Sequence, residues 1–226
     1  AYDLDVDSAG NVYVIGYNFL GGTTNYVTVR YNNSLGFISS ATFSASTYID
    51  PDFTSMGLAV DKTNGFVYVA GITQGTYALT LKYDTNLVYL GSATYTQGFQ
   101  GNKVAVGSDG KVYVIGTTAG TGGDDWLLIK YTPDLAVVST RTFSGSVVEA
   151  PSDLAMDDAG LIYITGISYA AADLGTADLV TKSFTFSAVQ TVSVSTADVS
   201  PANFTAGQEA AALRITPYTL SGAVDF

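Results

Sequence analysis

The stretch GNVYVIGY, Gly10 to Tyr17, decides the fold because it returns three more times along the chain. Its copies are GFVYVAGI from Gly65, GKVYVIGT from Gly110 and GLIYITGI from Gly160. The alternation of side chains puts the tyrosine of each copy on one face of a β-strand and the aliphatic residues on the other. Both faces are apolar enough for burial, so each copy is predicted to be a strand packed on two sides.

The sequence around these copies repeats as well. A short strand and a turn precede the first copy in DLDVDSAG, from Asp3, and two further strands follow it in YVTVRYN, from Tyr26, and SATFS, from Ser40. The equivalent tyrosines are 55, 45 and 50 residues apart: Tyr13, Tyr68, Tyr113 and Tyr163. Four strands per unit at a period near 50 are typical of a β-propeller blade.

We therefore predict an all-β propeller built of four-stranded antiparallel blades in a single domain, residues 1–226. Helical periodicity is nearly absent, and the Gly-rich stretches are confined to loops. The last repeat is incomplete, because SGAVDF at the end of the chain takes the place of AGLIYI and nothing follows it. The predicted repeats are about 1–54, 55–100, 101–150, 151–206 and a partial fifth at 207–226.

The run DLDVDSAGNVYVIGY, followed by YVTVRYN and SATFS, resembles the SBBP-type β-propeller repeats of bacteria and archaea. In those repeats a D-x-A-x-D-S-x-G-N-x-Y-V-x-G-like core precedes a K-Y strand. The resemblance covers residues 1 to about 195 and implies a propeller within a surface or secreted protein. Three positions depart from the pattern: Asp5 replaces an alanine, Gly107 replaces the turn aspartate, and Ser183 replaces the tyrosine of the third strand.

Composition excludes several kinds of chemistry. The chain has no cysteine and no histidine, which excludes disulfides, thiolate chemistry and imidazole bases or ligands. A net charge of -11 without a basic cluster argues against nucleic acid and anionic membrane surfaces as partners. No apolar run is long enough for membrane insertion. With only 13% charged residues and many hydroxyls, the chain is expected to be extracellular or on the cell surface.

Two acidic clusters are candidates for binding metal. Asp3, Asp5 and Asp7 alternate, but an EF-hand loop would need glycine and glutamate where Ser8 and Val14 stand. We therefore favour structural roles at the strand and turn for these aspartates. The second cluster, Asp124 and Asp125 beside two glycines, is interpreted as a solvated turn.

Catalysis on a polysaccharide would need converging carboxylates. The two glutamates, Glu149 and Glu209, precede the first strand of successive repeats, which indicates a repeated structural feature rather than a catalytic position. No cofactor fingerprint and no nucleophile with a base occur in the sequence. The chain is therefore predicted to be no enzyme and to carry no cofactor.

Ligand contacts are expected from loop aromatics, because loops vary while strand tyrosines pack between blades. The candidates are Tyr17, Phe19 and Tyr169. Two sequons, at Asn32 and Asn203, are candidate glycosylation sites.

The incomplete fifth repeat leaves strand edges that another part of the chain or another copy must satisfy. Leu213, Ile215 and Val224 are the candidate assembly residues of this segment. We favour a structural scaffold that binds other copies of itself or other surface proteins, in a head-to-tail polymer or filament. A glycan-binding module is the alternative, and a polysaccharide hydrolase or lyase is the third interpretation.

Overall fold

The structure is a computed structural model of the chain. It describes residues 1–20, 23–44, 56–73, 77–98, 100–120, 123–143, 148–169, 177–185 and 188–192. By its contacts the chain divides into two units, residues 1–195 and 196–226. The second unit lies outside the described residues, and with it the predicted partial fifth repeat, Glu209 and the candidates Asn203, Leu213, Ile215 and Val224.

All regular elements in the described ranges are β-strands, arranged as four antiparallel sheets that we call blades 1 to 4. Blade 1 contains β1 (Asp3–Val6), β2 (Val12–Leu20), β3 (Thr23–Tyr31) and β4 (Phe37–Ser44). Blade 2 contains β5 (Gly57–Asp61), β6 (Phe66–Thr73), β7 (Tyr77–Asp84) and β8 (Tyr89–Tyr95). Blade 3 contains β9 (Gln100–Val106), β10 (Val112–Ala119), β11 (Asp124–Tyr131) and β12 (Val137–Phe143). Blade 4 contains β13 (Val148–Met156), β14 (Ile162–Tyr169), β15 (Ala177–Thr185) and β16 (Ala188–Val192).

Each blade is a simple meander in which consecutive strands are neighbours. The turn between its first two strands contains a glycine with φ between 69° and 82°, a conformation that L side chains rarely adopt. These glycines are Gly10, Gly65, Gly110 and Gly160. The predicted blades and hairpin turns are confirmed. No helix able to span a membrane occurs in the part of the chain that the structure describes.

The blades follow one another through their first strands: β1 contacts β5, β5 contacts β9, and β9 contacts β13. The hydrophobic cores lie between blades rather than within them. In each core the tyrosine-bearing face of one blade packs on the aliphatic face of the next. We call the first the forward face, carrying Tyr13, Tyr68, Tyr113 or Tyr163, and the second the rear face, carrying Leu4, Leu58, Val104 or Leu154.

A glycine within the second strand of the blade allows neighbouring elements to approach closely. A Cβ atom at Gly71 would lie 2.6 Å from the Tyr26 hydroxyl of the preceding blade, and one at Gly116 would overlap the carbonyl oxygen of Gln100. A bulge accompanies this approach in blade 3, between Ile115 and Gly116. Glycine is therefore required at these positions by packing.

Blade 4 corrects one detail of the sequence interpretation. Ser183 lies opposite Tyr163, the place that Arg30 takes in blade 1, and Phe184 takes the place of the third-strand tyrosine. The shift by one residue turns Lys182 toward blade 3, where its ammonium lies 4.7 Å from the ring centre of Trp126. A cation over an aromatic face is a favourable contact, which accounts for the lysine on this otherwise apolar side.

Candidate functional site: contacts between blades and the two open faces

Asp3 and Asp5 of β1 join blade 1 to its neighbour. Their Oδ2 atoms accept hydrogen bonds from the backbone N–H groups of Leu58 and Val60, at 3.0 and 2.9 Å. These N–H groups lie on the edge of β5 that pairs with no strand in the described ranges. The carboxylates therefore satisfy the N–H groups of this strand edge. This role explains why residue 5 is an aspartate, whereas the other repeats have alanine at the equivalent position.

The same two carboxylates form ion pairs with lysines of the following blades. Asp3 lies 3.0 Å from the ammonium of Lys103, and Asp5 lies 3.4 Å from that of Lys62. Within the described ranges, no group of three or more acidic side chains is arranged to hold a metal ion. The observed partners of Asp3 and Asp5 are thus backbone amides and lysines.

Asp7, the third metal candidate, organises the first turn of blade 1. Its carboxylate accepts hydrogen bonds from the N–H groups of Ala9 and Asn11 and from the Tyr13 hydroxyl. Partial burial acts to raise the pKa of Asp7, but these hydrogen bonds outweigh it and hold the pKa below its ordinary value. Asp7 is therefore a turn former whose ionised state is stabilised locally.

Blade 3 has Gly107 at this turn position, and the repeat pattern alone did not reveal which residue replaces the aspartate. The structure shows that Asp109, two residues later, accepts the hydrogen bond from the Tyr113 hydroxyl at 2.9 Å and pairs with Lys130 at 3.0 Å. A Cβ atom at Gly107 would lie 2.7 Å from the Asp109 carboxylate. Glycine therefore makes room for the relocated carboxylate.

The strand tyrosines link successive blades. The Tyr13 hydroxyl donates to the carbonyl oxygen of Thr85 at 3.0 Å, and the Tyr68 hydroxyl donates to that of Pro133 at 2.9 Å. Both acceptors are the second residue of the turn between the third and fourth strands of the next blade. Burial raises the pKa of Tyr13 to about 12, so the phenol stays neutral near physiological pH and remains a donor.

A second polar contact between blades involves the third residue of the same turn. Arg30 of blade 1 donates to the Asn86 side chain at 3.1 Å, and Lys82 of blade 2 donates to the Asp134 carboxylate at 2.8 Å. Each basic residue lies opposite the strand tyrosine of its own blade. The tyrosine and the basic residue therefore recognise one turn together.

The fourth residue of this turn is a leucine with positive φ in three blades. Leu35, Leu87 and Leu135 have φ of 60°, 64° and 63°. This conformation costs a non-glycine residue on the order of 1–2 kcal/mol. Leu87 and Leu135 offset that cost by inserting into the core shared with the preceding blade, whereas Leu35 is 70% exposed. The repeated leucine was visible in YNNSLG, YDTNLV and YTPDLA, but its conformation was not.

Blade 1 exposes the face that blades 2 and 3 bury. Leu4 is 60% exposed, while Leu58 and Val104 at the same repeat position are 4% and 6% exposed. Val12, Val14 and Tyr31 are half-buried, and their blade 2 and blade 3 counterparts are fully buried. The rear face of blade 1 is thus an apolar surface without a covering blade among the described residues.

Blade 4 shows the complementary surface. Tyr163 is 38% exposed, whereas Tyr13, Tyr68 and Tyr113 are buried. Its hydroxyl donates weakly to Asp157, at 3.3 Å. Among the described strands, extensive contacts join blades 1 and 2, 2 and 3, and 3 and 4, and none of comparable extent joins blade 4 to blade 1.

The two aromatic residues of blade 1 that were expected in a loop lie instead within β2, because the hairpin with β3 stays paired out to Leu20 and Thr23. Tyr17 and Phe19 are exposed, and the ring of Tyr2 stacks on that of Tyr17 with 5.7 Å between centroids. Tyr169 ends β14 opposite Val148, and its side chain lies outside the described part of the chain.

The sequon residue Asn32 is exposed and forms the first residue of the turn between β3 and β4. Its Oδ1 accepts hydrogen bonds from the N–H groups of Ser34 and Gly36, at 2.9 and 2.8 Å. Asp84 makes the same two bonds in blade 2. Asn32 therefore has a turn-forming role of its own.

Three further acidic residues were interpreted from the sequence. Asp124 and Asp125 were expected in a solvated turn, but they begin β11 opposite Ala119 and Thr118, and Asp125 is buried. Cross-strand pairing extends the hairpin by these two residues. Glu149 was expected before the first strand of its repeat, but it lies within β13, opposite Ser168, because that strand pairs from Val148 onward. Its side chain lies outside the described part.

Neither protein-family models nor curated protein sequences match the chain. Solved structures do. The chain is similar to the β-propeller domain of the Trilobed protease from Pyrococcus furiosus, with a TM-score of 0.54 and 6% identity over 85% of this chain and 57% of that one. It is also similar to the WD40 domain of Neurospora crassa Pan2, with a TM-score of 0.51 and 12% identity over 84% and 64%.

A third similar structure is Pyrococcus horikoshii acylaminoacyl peptidase, with a TM-score of 0.54 and 7% identity over 85% of this chain and 32% of that one. The chain thus spans less than two thirds of each of these structures. Peptidases and WD40 domains share the fold, so the fold alone does not decide between catalysis and binding. At these identities the likeness establishes the architecture: the chain folds as β-propeller blades.

Proposed function

We propose that the chain is a non-enzymatic β-propeller scaffold of SBBP-type repeats, located on the cell surface or outside the cell, which binds other protein copies through its open blade faces. The observation that carries the proposal is the exposed rear face of blade 1. Leu4 and Leu35 there are largely exposed, whereas the same repeat positions are buried in blades 2 and 3. A contiguous exposed apolar surface of this kind favours a protein interface.

The roles of the acidic residues support a scaffold rather than an enzyme. Four acidic side chains all contact backbone amides, tyrosines or lysines within or between blades: Asp3, Asp5, Asp7 and Asp109. The Asp7 position recurs in blades 2 and 4, and Asp109 compensates for the departure at Gly107. Asp5 itself departs from the repeat, but its carboxylate is engaged by Val60 and Lys62 of blade 2. A catalytic group is expected to break such a pattern.

Sedimentation velocity of the 226-residue chain over a wide concentration range tests this function. We expect mass-average size to rise with concentration, and Leu4→Asp to suppress the rise because a buried unpaired carboxylate is costly. Leu90→Asp, on the exposed outer strand of blade 2, is the matched control and is expected to associate normally. A chain that stays monomeric throughout, or that turns over a peptide or polysaccharide substrate, contradicts the proposal.

A glycan-binding module is the second candidate, and the stacked pair of Tyr2 and Tyr17 beside exposed Phe19 favours it. Aromatic platforms of this kind present flat apolar surface at low entropic cost. A glycan array tests it, with Tyr17→Ala expected to abolish binding. Tyr77→Ala is the control, since Tyr77 is also 37% exposed but begins the third strand of blade 2. Absence of any bound glycan removes this candidate.

A further inference from the structure

We propose that the rear face of blade 1 binds the forward face of blade 4 of a second copy of this chain. In this contact the Tyr163 hydroxyl of one copy donates to the Asn33 carbonyl oxygen of the other, and Ser183 lies against Ser34. The inference rests on the proposed scaffold function and specifies its partner and its orientation.

The template for this contact is the junction that the chain forms between its own blades. Tyr13 donates to Thr85, and Tyr68 donates to Pro133, in each case from a forward face to the second turn residue of a rear face. Asn33 is the second residue of the corresponding turn in blade 1. Tyr163 is the exposed tyrosine at the donor position of blade 4. The two open faces thus hold the unused donor position and the unused acceptor position of one repeated contact.

The bond that Tyr163 already makes leaves room for this contact, in which the single hydroxyl proton is shared between two acceptors. Its hydroxyl lies 3.3 Å from Asp157, and the Tyr13 hydroxyl lies 3.2 Å from the equivalent Asp7 while also reaching Thr85. Tyr13 therefore shows that a turn carboxylate of its own blade and a carbonyl oxygen of the next blade can both lie near one phenol hydroxyl.

The residues at the second polar contact, Ser183 of blade 4 and Ser34 of blade 1, also match each other in size and charge. At the other junctions a basic residue meets the third turn residue, as Arg30 meets Asn86 and Lys82 meets Asp134. At the open faces the corresponding residues are Ser183, opposite Tyr163, and Ser34. Two short neutral hydroxyls replace two long polar side chains, so docking buries no unpaired charge there.

The backbone of Leu35 supplies an independent argument. Leu35 has a φ of 60°, the same strained conformation as Leu87 and Leu135, but lacks the burial that offsets the strain in those residues. Glycine would satisfy this turn without strain. Leu35 thus has the backbone conformation of Leu87 and Leu135, whose side chains insert into the forward face of the preceding blade.

The occupant is assigned to another molecule for two reasons. Blades 1 and 4 of the same chain share no contact comparable to the other junctions among the described strands. In the partial fifth repeat, Asp225 takes the sequence position of the strand tyrosine, so that repeat position carries no phenol donor. The contact joins different surfaces of the two copies, so it extends head to tail.

Engineered cysteines test the pairing, because the natural chain contains none. Ser34→Cys and Ser183→Cys chains are purified separately, mixed, and oxidised or treated with a short bis-maleimide. We expect a covalent dimer in the mixture at least ten times more abundant than in either chain alone. Ser92→Cys, on an exposed strand of blade 2, replaces either partner as the control and is expected to give no such dimer.

Three outcomes overturn the inference. If the double variant Ser34→Cys/Ser183→Cys forms a bond within one chain and the mixture of single variants forms none, the faces close within one molecule. If Ser34→Cys chains link mainly to each other while the chain still associates, the pairing is wrong but the scaffold function stands. If the unmodified chain is monomeric at every concentration and no link forms, the scaffold function fails as well.

Discussion

The hydroxyl of Tyr13 in blade 1 donates a hydrogen bond to the carbonyl oxygen of Thr85 in blade 2, with 3.0 Å between the two oxygens. Tyr68 repeats the contact with Pro133 one blade later. Each phenol ring is buried in the core between the two sheets, and its hydroxyl reaches the turn beyond that core. One residue type at one repeat position therefore provides both the packing and the polar alignment of successive blades.

Replacement of Tyr68 by phenylalanine removes the bond to Pro133 and leaves the ring in place. We expect Tyr68→Phe to lower the free energy of unfolding by about 1 kcal/mol, measured by urea denaturation. Tyr163→Phe is the matched control and is expected to change it by less than about 0.5 kcal/mol, because that phenol is partly exposed. Equal losses in both variants would show that the hydroxyl does not act between blades.

Alkaline pH is expected to destabilise the protein through its buried phenols. Burial raises the pKa of Tyr26 to about 12, and its hydroxyl both donates to the Ile72 carbonyl oxygen and accepts from the Ile72 N–H. The unfolded phenol ionises near pH 10, so the contribution of Tyr26 is complete below about pH 10 and is lost as pH rises toward about 12. The urea midpoint followed against pH measures the loss.

Tyr26→Phe is the control for this pH dependence. The variant cannot ionise at this position, so its urea midpoint is expected to fall less steeply above pH 10 than that of the unmodified chain. Identical slopes would contradict the assignment to Tyr26.

Gly71 and Gly91 provide a test of close packing. A Cβ atom at Gly71 would meet the Tyr26 hydroxyl at 2.6 Å and displace it from Ile72, while one at Gly91 would meet nothing within 4 Å. We expect Gly71→Ala to destabilise the chain by about 1–3 kcal/mol and Gly91→Ala to have an effect within about 0.5 kcal/mol. Thermal unfolding of the two variants makes the comparison, and a neutral Gly71→Ala variant would contradict it.

The turn leucines distinguish covered from open faces. Leu87→Ala is expected to cost about 2–4 kcal/mol because it leaves a cavity in the core between blades 1 and 2. Leu35→Ala, at the same turn position and with the same sign of φ, is expected to cost less than about 0.5 kcal/mol in dilute solution, because Leu35 is exposed. Similar costs would mean that Leu35 is covered within the single chain.

The sequence predicted the blades well because each strand carries its own evidence. In GNVYVIGY the alternation of Tyr13 with aliphatic residues predicts a strand buried on both faces, and Gly10 predicts the hairpin turn. These signals are local and recur four times, so an error in one copy is corrected by the others. The acidic residues were harder to interpret, because the partners of Asp3 and Asp5 lie 55 residues away in the chain.

Other features depended on register, which composition does not reveal. The sequence alignment placed Ser183 at the tyrosine position, but the paired strands place it opposite Tyr163 and put Phe184 in that position. In blade 3 the missing turn aspartate is replaced by Asp109, two residues later, whose carboxylate accepts the hydrogen bond from the Tyr113 hydroxyl. Each case follows from a displacement of one or two residues that changes which face or atom a side chain meets.

By itself, the sequence determined that the chain forms repeated four-stranded blades, since periodicity and turn residues act over a few neighbouring positions. It also excluded thiol and imidazole chemistry, because the residues are absent. Only the tertiary structure decided which faces are covered. Leu4 and Leu58 occupy the same repeat position, yet one is exposed and the other buried, because burial depends on whether a neighbouring blade packs there. Among the described residues, that difference places the open faces on blades 1 and 4.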